Sequence, residues 1–401
     1  MNERIGNRRL HAIFEVFGVS LKLGLTSFGG PIAHLAYFQD EYVRRRQWLD
    51  ERSYADLVAL CQFLPGPASS QVGIGIGTLR AGVLGGIAAW LGFTLPSIIA
   101  LVVFANLMQG FDIGQAGWVH GLKIVAVAIV AQAIVSMGQK LTPDRGRITI
   151  AIAAAALSLM WPTALMQILL IAAAAAAGLW LYRRAESKGT TPVVLQMPIS
   201  KTTGTVFILL FFVMLIGLPI LRGVTAHHLV DIFDSFYRSG ALVFGGGHVV
   251  LPLLERETVA TGWISKESFL AGYGAAQAVP GPLFTFASYL GAMDRGIQGA
   301  IVATAAIFLP AFLLVLGALP FWNALRSNPG VQGALMGVNA AVVGILLAAF
   351  YNPIWTSAVL SSADFALAAI LFAILFYWKL PPWVVVIAGA LGGTALHVLI
   401  H

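Results

Sequence analysis

Long apolar runs separated by short polar loops set the pattern of this chain. A helix needs about 20 residues to cross a hydrocarbon core of roughly 30 Å. Runs of that order recur at Ala81 to Leu107, Trp118 to Met137, Ile148 to Met160 continuing through Thr163 to Leu181, Gly204 to Leu221, Ile297 to Leu319, Val331 to Phe350, Phe365 to Tyr377 and Trp383 to Ile400. They lack the ten-residue alternation of an outer-membrane barrel, so the pattern predicts an all-α polytopic membrane protein. Composition agrees: 58% of residues are hydrophobic and 10% charged, where a soluble domain carries about 25% charged.

Two polar, glycine- and proline-rich passages interrupt this pattern, Ser27 to Gln71 and Val243 to Phe286, and they echo each other. Phe28, Gly29, Gly30 and Glu41 recur as Phe244, Gly245, Gly246 and Glu257 at an offset of 216. Trp48, Ser53, Gln62, Pro65, Gly66, Pro67 and Arg80 recur as Trp263, Ser268, Gln277, Pro280, Gly281, Pro282 and Arg295 at 215. Pro96 matches Pro310, and Gly121 matches Gly337. A duplication accounts for this: a first repeat over 1–200, with hairpins to about residue 80 and then four crossings, a linking helix over 201–225, and a second repeat over 226–401.

The net charge of +7 does not point to nucleic acid, because the cations sit in short loops between apolar spans, as cytoplasmic loops require. If the linking helix inverts the second repeat, about 17 Lys and Arg gather on one face and about five on the other. A parallel repeat separates them less well. The expected fold is therefore two homologous halves as inverted-topology repeats with broken, re-entrant helical hairpins, the N-terminus cytoplasmic and the C-terminus periplasmic. Lys22 and Lys123 remain at membrane depth. One cysteine, Cys61, excludes an intrachain disulfide, and the eight histidines lack zinc-ligand spacing. Glu15 and Lys22 interrupt the first apolar stretch and no small-residue cleavage site follows, so no cleaved signal peptide is expected. No cofactor is implied; lipid surrounds the chain, and a homodimer is compatible with such a build.

Proline removes a backbone donor and glycine tolerates conformations other residues avoid, so Gly-Gly and Pro-Gly-Pro break helices. In lipid such breaks survive only inside protein or beside a wet cavity. They read either as tight turns or as half-helices whose N-terminal ends converge on an anion. The second reading makes Gly29, Gly30, Gln62, Pro65, Gly66, Pro67, Ser69, Ser70, Gln71, Gly245, Gly246, Gln277, Pro280, Gly281, Pro282 and Thr285 candidate binding residues, with Lys123 as a cation at depth. Ser69, Ser70, Gln71 and Thr285 either donate to oxyanion oxygens or cap their own helices. Lys22 and Arg238 either attract an anion or snorkel to an interface, and Arg80 and Arg295 either attract it or finish a helix. Glu41 and Glu257 are candidate proton carriers, or partners of Arg44 or Arg45 and of Arg256. His34 and His248 are candidate relays or packing residues. Cys61 reads as a packing residue, and the run Gly73 to Gly86, which lacks the Gly-Lys-Ser/Thr of a phosphate loop, as close helix packing.

With these motifs laid out, the chain resembles the chromate ion transporter family in its long two-domain form. The resemblance rests on SFGGP at Ser27 to Pro31, FLPGP at Phe63 to Pro67, VFGGGHVVLPLLE at Val243 to Glu255 and AVPGP at Ala278 to Pro282. It implies export of chromate across an inner membrane, driven by the membrane potential or a proton gradient, with sulfate as the chemically similar competitor and homologous halves of opposite orientation. The alternatives are a transporter of the same build whose ordinary substrate is sulfate or another oxyanion and, from another class, an anion channel of the same build. An enzyme such as a chromate reductase lacks any redox motif here.

Overall fold

The computed structural model describes residues 2–28, 30–110, 116–161, 163–182, 199–225, 227–244, 247–322, 325 and 328–400. Gly29, Gly245, Gly246 and 183–198, at the end of the expected first repeat, lie outside these residues. Every regular element among the described residues is helical. The first half contains α1 (Asn2–Thr26), α2 (Gly30–Phe38), α3 (Glu51–Phe63), α4 (Ala68–Gly110), α5 (Gly117–Leu141), α6 (Arg145–Met160) and α7 (Ala164–Tyr182). A single helix, α8 (Lys201–Val224), leads to the second half: α9 (His228–Ala241), α10 (Val250–Thr258), α11 (Lys266–Ala276), α12 (Phe286–Ala318), α13 (Pro329–Ala349), α14 (Ser362–Phe376) and α15 (Pro382–Ile400).

The halves match element for element, down to their caps. Asp50 accepts from the Arg52 and Ser53 amides to start α3, and Ser265 accepts from Ser268 to start α11. Asp144 caps α6 through the Arg147 amide, and Ser361 caps α14 through Asp364. Each cap satisfies a donor that a helix start leaves open.

α4 and α12 are not straight rods. Ala81 and Gly82 leave helical geometry in α4, as Arg295 and Gly296 do in α12, with φ of +73° at Gly82 and +60° at Gly296. Only glycine enters that region cheaply. The chain turns back there, so each element is a hairpin with a short arm (68–80 and 286–294) and a long arm (83–110 and 297–318). The arms press together where side chains are missing: a methyl on Gly85 would strike the Gly77 carbonyl, and one on Gly299 the Gly291 carbonyl. Close packing is thus the role of the Gly73 to Gly86 run. The turn also corrects the register of the repeat. Arg295 occupies the place of Ala81, and Arg80 is answered by Asp294, because the offset shortens by one residue between Pro282 and the turn.

Across the halves, α5 packs on α14 and α15, while α13 packs on α6 and α7. Glycines make both crossings possible: Gly121 and Gly117 face the Gly389 and Gly393 carbonyls, and Gly337 and Gly344 face those of Ala174 and Ala151. Each half therefore carries its fifth helix into the other. The core lies where α5, α13 and the long arms of α4 and α12 meet.

α8 presents the opposite face of the problem. Val213, Ile216 and Ile220 are each more than 60% exposed on it, an apolar stripe that water would not tolerate at this size and lipid would. With five helical segments among the described residues long and apolar enough to cross a bilayer, the chain is a multi-pass membrane protein. Gly85→Leu is expected to destabilise the protein by about 3 kcal/mol through overpacking, whereas Gly217→Leu on α8, whose Cβ meets nothing within 4 Å, should be neutral. Thermal unfolding of the two detergent-solubilised variants checks this.

Candidate functional site: the crossed breaks

In each Pro-Gly-Pro tripeptide the prolines have no N–H, so the glycine is the one donor. The Gly66 amide donates to the Val243 carbonyl at 2.7 Å, and the Gly281 amide to the Ser27 carbonyl at 2.9 Å. Ser27 and Val243 are the residues before the two Phe-Gly-Gly motifs, at the same place in each repeat. The second break of each half is thus tied to the first break of the other by a reciprocal pair of backbone bonds. Both glycines need positive φ, +119° at Gly66 and +103° at Gly281. Both also need to be small: Gly66 lies against Ala311 and Gly281 against Ser97, the residues that follow Pro310 and Pro96. Ser97 Oγ donates to the Pro280 carbonyl at 2.7 Å.

Polar side chains collect on these crossings. His34 Nδ1 pairs with Ser69 Oγ at 3.3 Å, joining α2 to the start of α4. Gln71 Nε2 donates to the Pro65 carbonyl at 2.9 Å. Thr285 Oγ1 donates to the Pro282 carbonyl at 2.7 Å, within its own turn. Among the described residues, Trp90 Nε1 and Trp322 Nε1 are buried without a hydrogen-bond partner, and so are five atoms close to the crossings: Ser27 Oγ, His34 Nε2, Ser70 Oγ, Gln71 Oε1 and Gln277 Nε2. All five flank a break. Each such atom costs about 1–3 kcal/mol unless something polar meets it.

A cavity of about 690 Å³ opens beside the crossings. Its wall includes Gly30 and Pro31 from the first break, Gln277, Gly281 and Leu283 around the fourth, His248, Gln132 and Ser136 of α5, and Lys379 in the turn between α14 and α15. His248 Nδ1 pairs with Tyr273 Oη at 2.7 Å. Gln62, the repeat partner of Gln277, is exposed and outside this wall. Lys379, Gln132 and Ser136 were missed in the sequence. Lys379 looked like one more loop cation, and the positions of Gln132 and Ser136, one helical turn apart on α5, were the available signal.

Lys22, Arg80, Arg238, Glu41 and Glu257, among the other charges proposed from sequence, lie in ion pairs. Lys22 Nζ meets Glu41 at 3.0 Å, and Arg46 meets the same carboxylate at 2.9 Å. The equivalent Arg238 meets Glu257 at 3.1 Å and Asp234 at 2.8 Å. The expected partners differ in part: Glu41 is within 3.8 Å of Arg45, but Arg44 turns to Glu51 and Arg256 leaves its own half. Glu257 takes Arg238 and Arg222 instead. Arg80 pairs with Glu15 at 3.1 Å, and Arg295 is exposed at its hairpin turn. Lys123 is buried on α5, outside the cavity wall, under the charges of Glu267 and Asp364. Asp364 also holds His120 at 2.8 Å. Lys22, Arg80 and Arg238, whose charges are met by carboxylates, tie neighbouring segments together. Cys61 is buried in the core, as a packing residue should be.

Two homologous helical halves joined across broken segments, with unpartnered polar atoms at the crossings and an adjoining cavity, define a polytopic membrane protein of the transporter class. The comparison with known families supplies the rest: residues 14–179 and 230–394 match the chromate transporter family, once in each half, and the chain belongs to that family. It is 29% identical to a chromate transport protein of Pseudomonas aeruginosa over 345 residues, 83% of this chain and 79% of that one. A chromate transport protein of Cupriavidus metallidurans is 25% identical over 391 residues, 95% and 92% of the two chains. YwrB of Bacillus subtilis, an uncharacterized transporter, is 38% identical over 125 residues, 30% of this chain and 64% of that protein. No solved structure matches.

Lys22→Glu alone should cost about 1 kcal/mol, because the Lys22 side chain is more than half exposed and only Glu41 is buried, and lower the yield of folded protein. Lys22→Glu with Glu41→Lys should recover much of it. Yield and unfolding temperature in detergent separate this bracing role from a direct pull on the anion, which the double exchange would not restore.

Proposed function

We propose that this protein exports chromate, a tetrahedral dianion, across the inner membrane by alternating access, with the crossed breaks as its binding site. The observation that carries the reading is the set of five unpartnered buried atoms at those breaks. When Ser69 donates to His34 Nδ1, the ring proton sits on Nε2. Nε2–H, the Ser27 and Ser70 hydroxyls and the Gln277 amide then offer four donors to a ligand with four oxygens. Gln71 Oε1 is an acceptor suited to a protonated oxyanion or to water travelling with it. The starts of α2 and of the short arm of α4, each with free N–H groups and about half a positive charge, lie on the same crossings.

Depth and orientation have support of their own. The long arm of α4 is roughly 40 Å at 1.5 Å per residue. Its first residue adjoins the Gly82 turn, Ser97 near its middle touches Pro280, and Gln109 near its far end donates to the Met293 carbonyl at 2.7 Å beside the other turn. Opposite ends for the two turns and a midpoint for the break fit inverted repeats meeting at the bilayer centre. The loop cations then put the N-terminus in the cytoplasm and the C-terminus in the periplasm.

Energetics favour outward movement. One charge crossing 100 mV is worth about 2.3 kcal/mol, so a dianion leaving an inside-negative cell gains about 4.6. The relatives named for chromate transport fit this substrate. Sulfate has the same shape and charge and is expected to compete.

Inside-out vesicles carrying the protein should take up radiolabelled chromate when the lumen is made positive, saturably and with counterflow. Flux without saturation or counterflow would mean a channel, and no chromate flux under any imposed gradient would end the reading. Gln277→Ala and Ser70→Ala should each raise KM about 10-fold or more, as loss of a hydrogen bond to a charged ligand requires, with insertion unchanged.

A further inference from the structure

A second cavity, of about 290 Å³, lies in the other half of the molecule. Its wall uses Ile345 and Ala348 of α13 and Asn352 just beyond it, which stand 216 positions after Ile129, Gln132 and Ser136 in the larger cavity. Ser158 and Leu159 at the end of α6 likewise correspond to Leu375 and Phe376 at the end of α14. The two spaces are therefore repeat equivalents, yet they are unequal. The larger reaches the breaks at Gly30 and Gly281; the smaller stops farther out on α10, at Pro252, Glu255 and Arg256.

Arg256 is what bridges the smaller one. Its guanidinium donates to the Thr163 carbonyl at 2.7 Å and to Ser158 Oγ at 2.8 Å, and Gln167, with its amide oxygen turned inward, accepts at 3.2 Å. These bonds fasten α10 of the second half to the turn between α6 and α7 of the first. The repeat position of Arg256 is Asp40, and the turn equivalent to 161–163 is the α14–α15 turn, which carries Lys379. Asp40 now holds Arg45 at 2.9 Å in an exposed pair. Lys379 is exposed on the open cavity wall.

We infer that Arg256 is the closed gate of one entrance, and that Asp40 and Lys379 form the gate of the other, meeting when the Arg256 gate opens. The two gates have opposite polarity. A cation on α10 meets neutral acceptors at one entrance, and an acid at the end of α2 meets a lysine at the other. The exposed Asp40–Arg45 pair is weakly held and easily exchanged. The inference rests on the alternating-access reading above and adds the residues that alternate; with the proposed topology, the entrance open here faces the cytoplasm, ready to load.

The test uses full-length protein in vesicles, with Cys61→Ala removing the one native cysteine and Asp40→Cys with Lys379→Cys added. Short bifunctional thiol reagents should cross-link this pair. The yield should rise roughly tenfold when Arg256→Ala releases the other gate, and cross-linking should stop transport until the bridge is reduced. A yield indifferent to Arg256→Ala, or undiminished transport by the cross-linked protein, would overturn the inference. A second arm covers loss of the charges: Asp40→Lys alone should slow transport, and Asp40→Lys with Lys379→Asp should restore it. A double variant as slow as the single one, with normal insertion, would also overturn it. Cross-linking is read without chromate, so a wrong substrate leaves it intact while a wrong gate does not.

Discussion

A backbone amide or carbonyl freed by a broken helix has no water to turn to inside a bilayer, and each one left unpaired costs several kcal/mol. The two Pro-Gly-Pro sites of this chain leave a single N–H each. Those two donors find their acceptors in the opposite half, Gly66 on Val243 and Gly281 on Ser27. Neither half can satisfy its own break in this arrangement. The breaks therefore bind the halves together as well as exposing polar groups, and the rest of the fold is arranged to let them meet.

That meeting depends on missing side chains. The hydrophobic effect gives little between helices in lipid, so close van der Waals packing at small residues has to supply adhesion. Glycine does so at three levels here: within the hairpins at Gly77 and Gly85, between α1 and the long arm of α4 at Gly24 and Gly92, and between halves at Gly121 and Gly337. The exchange of α5 and α13 gives each half a wall made by the other. The two cavities are therefore each lined by residues of both halves.

Much of this was legible in the sequence because it is written in period and position. The spans, the duplication and the location of the breaks follow from apolar run length and from matched Gly and Pro. The partner of each break was not legible, since Gly66 and Val243 are far apart in the chain and nothing local couples them. The charged residues were read least well. Lys22 and Glu41 stand 19 positions apart on different elements, and only folding shows that α1 and the segment following α2 bring them to 3.0 Å. The one-residue slip that sets Arg295 against Ala81 was hidden because two arginines at almost the same spacing suggested a match. Lys379 was read for topology alone, although the turn that holds it borders the cavity.

The placing of charge bears on how an oxyanion carrier lets go of its cargo. A bare lysine at depth would hold a dianion tightly in a low dielectric and make release slow. In this protein Lys22, Arg46 and Arg238 are matched by Glu41, Glu257 and Asp234, so the groups left at the crossings are neutral donors and helix ends. Their attraction is spread over several dipoles, each of which exchanges readily for water. On this reading the formal cation of the larger cavity belongs where it stands, in the exposed α14–α15 turn, where water and salt screen it. It draws an anion toward the entrance without trapping it at the centre.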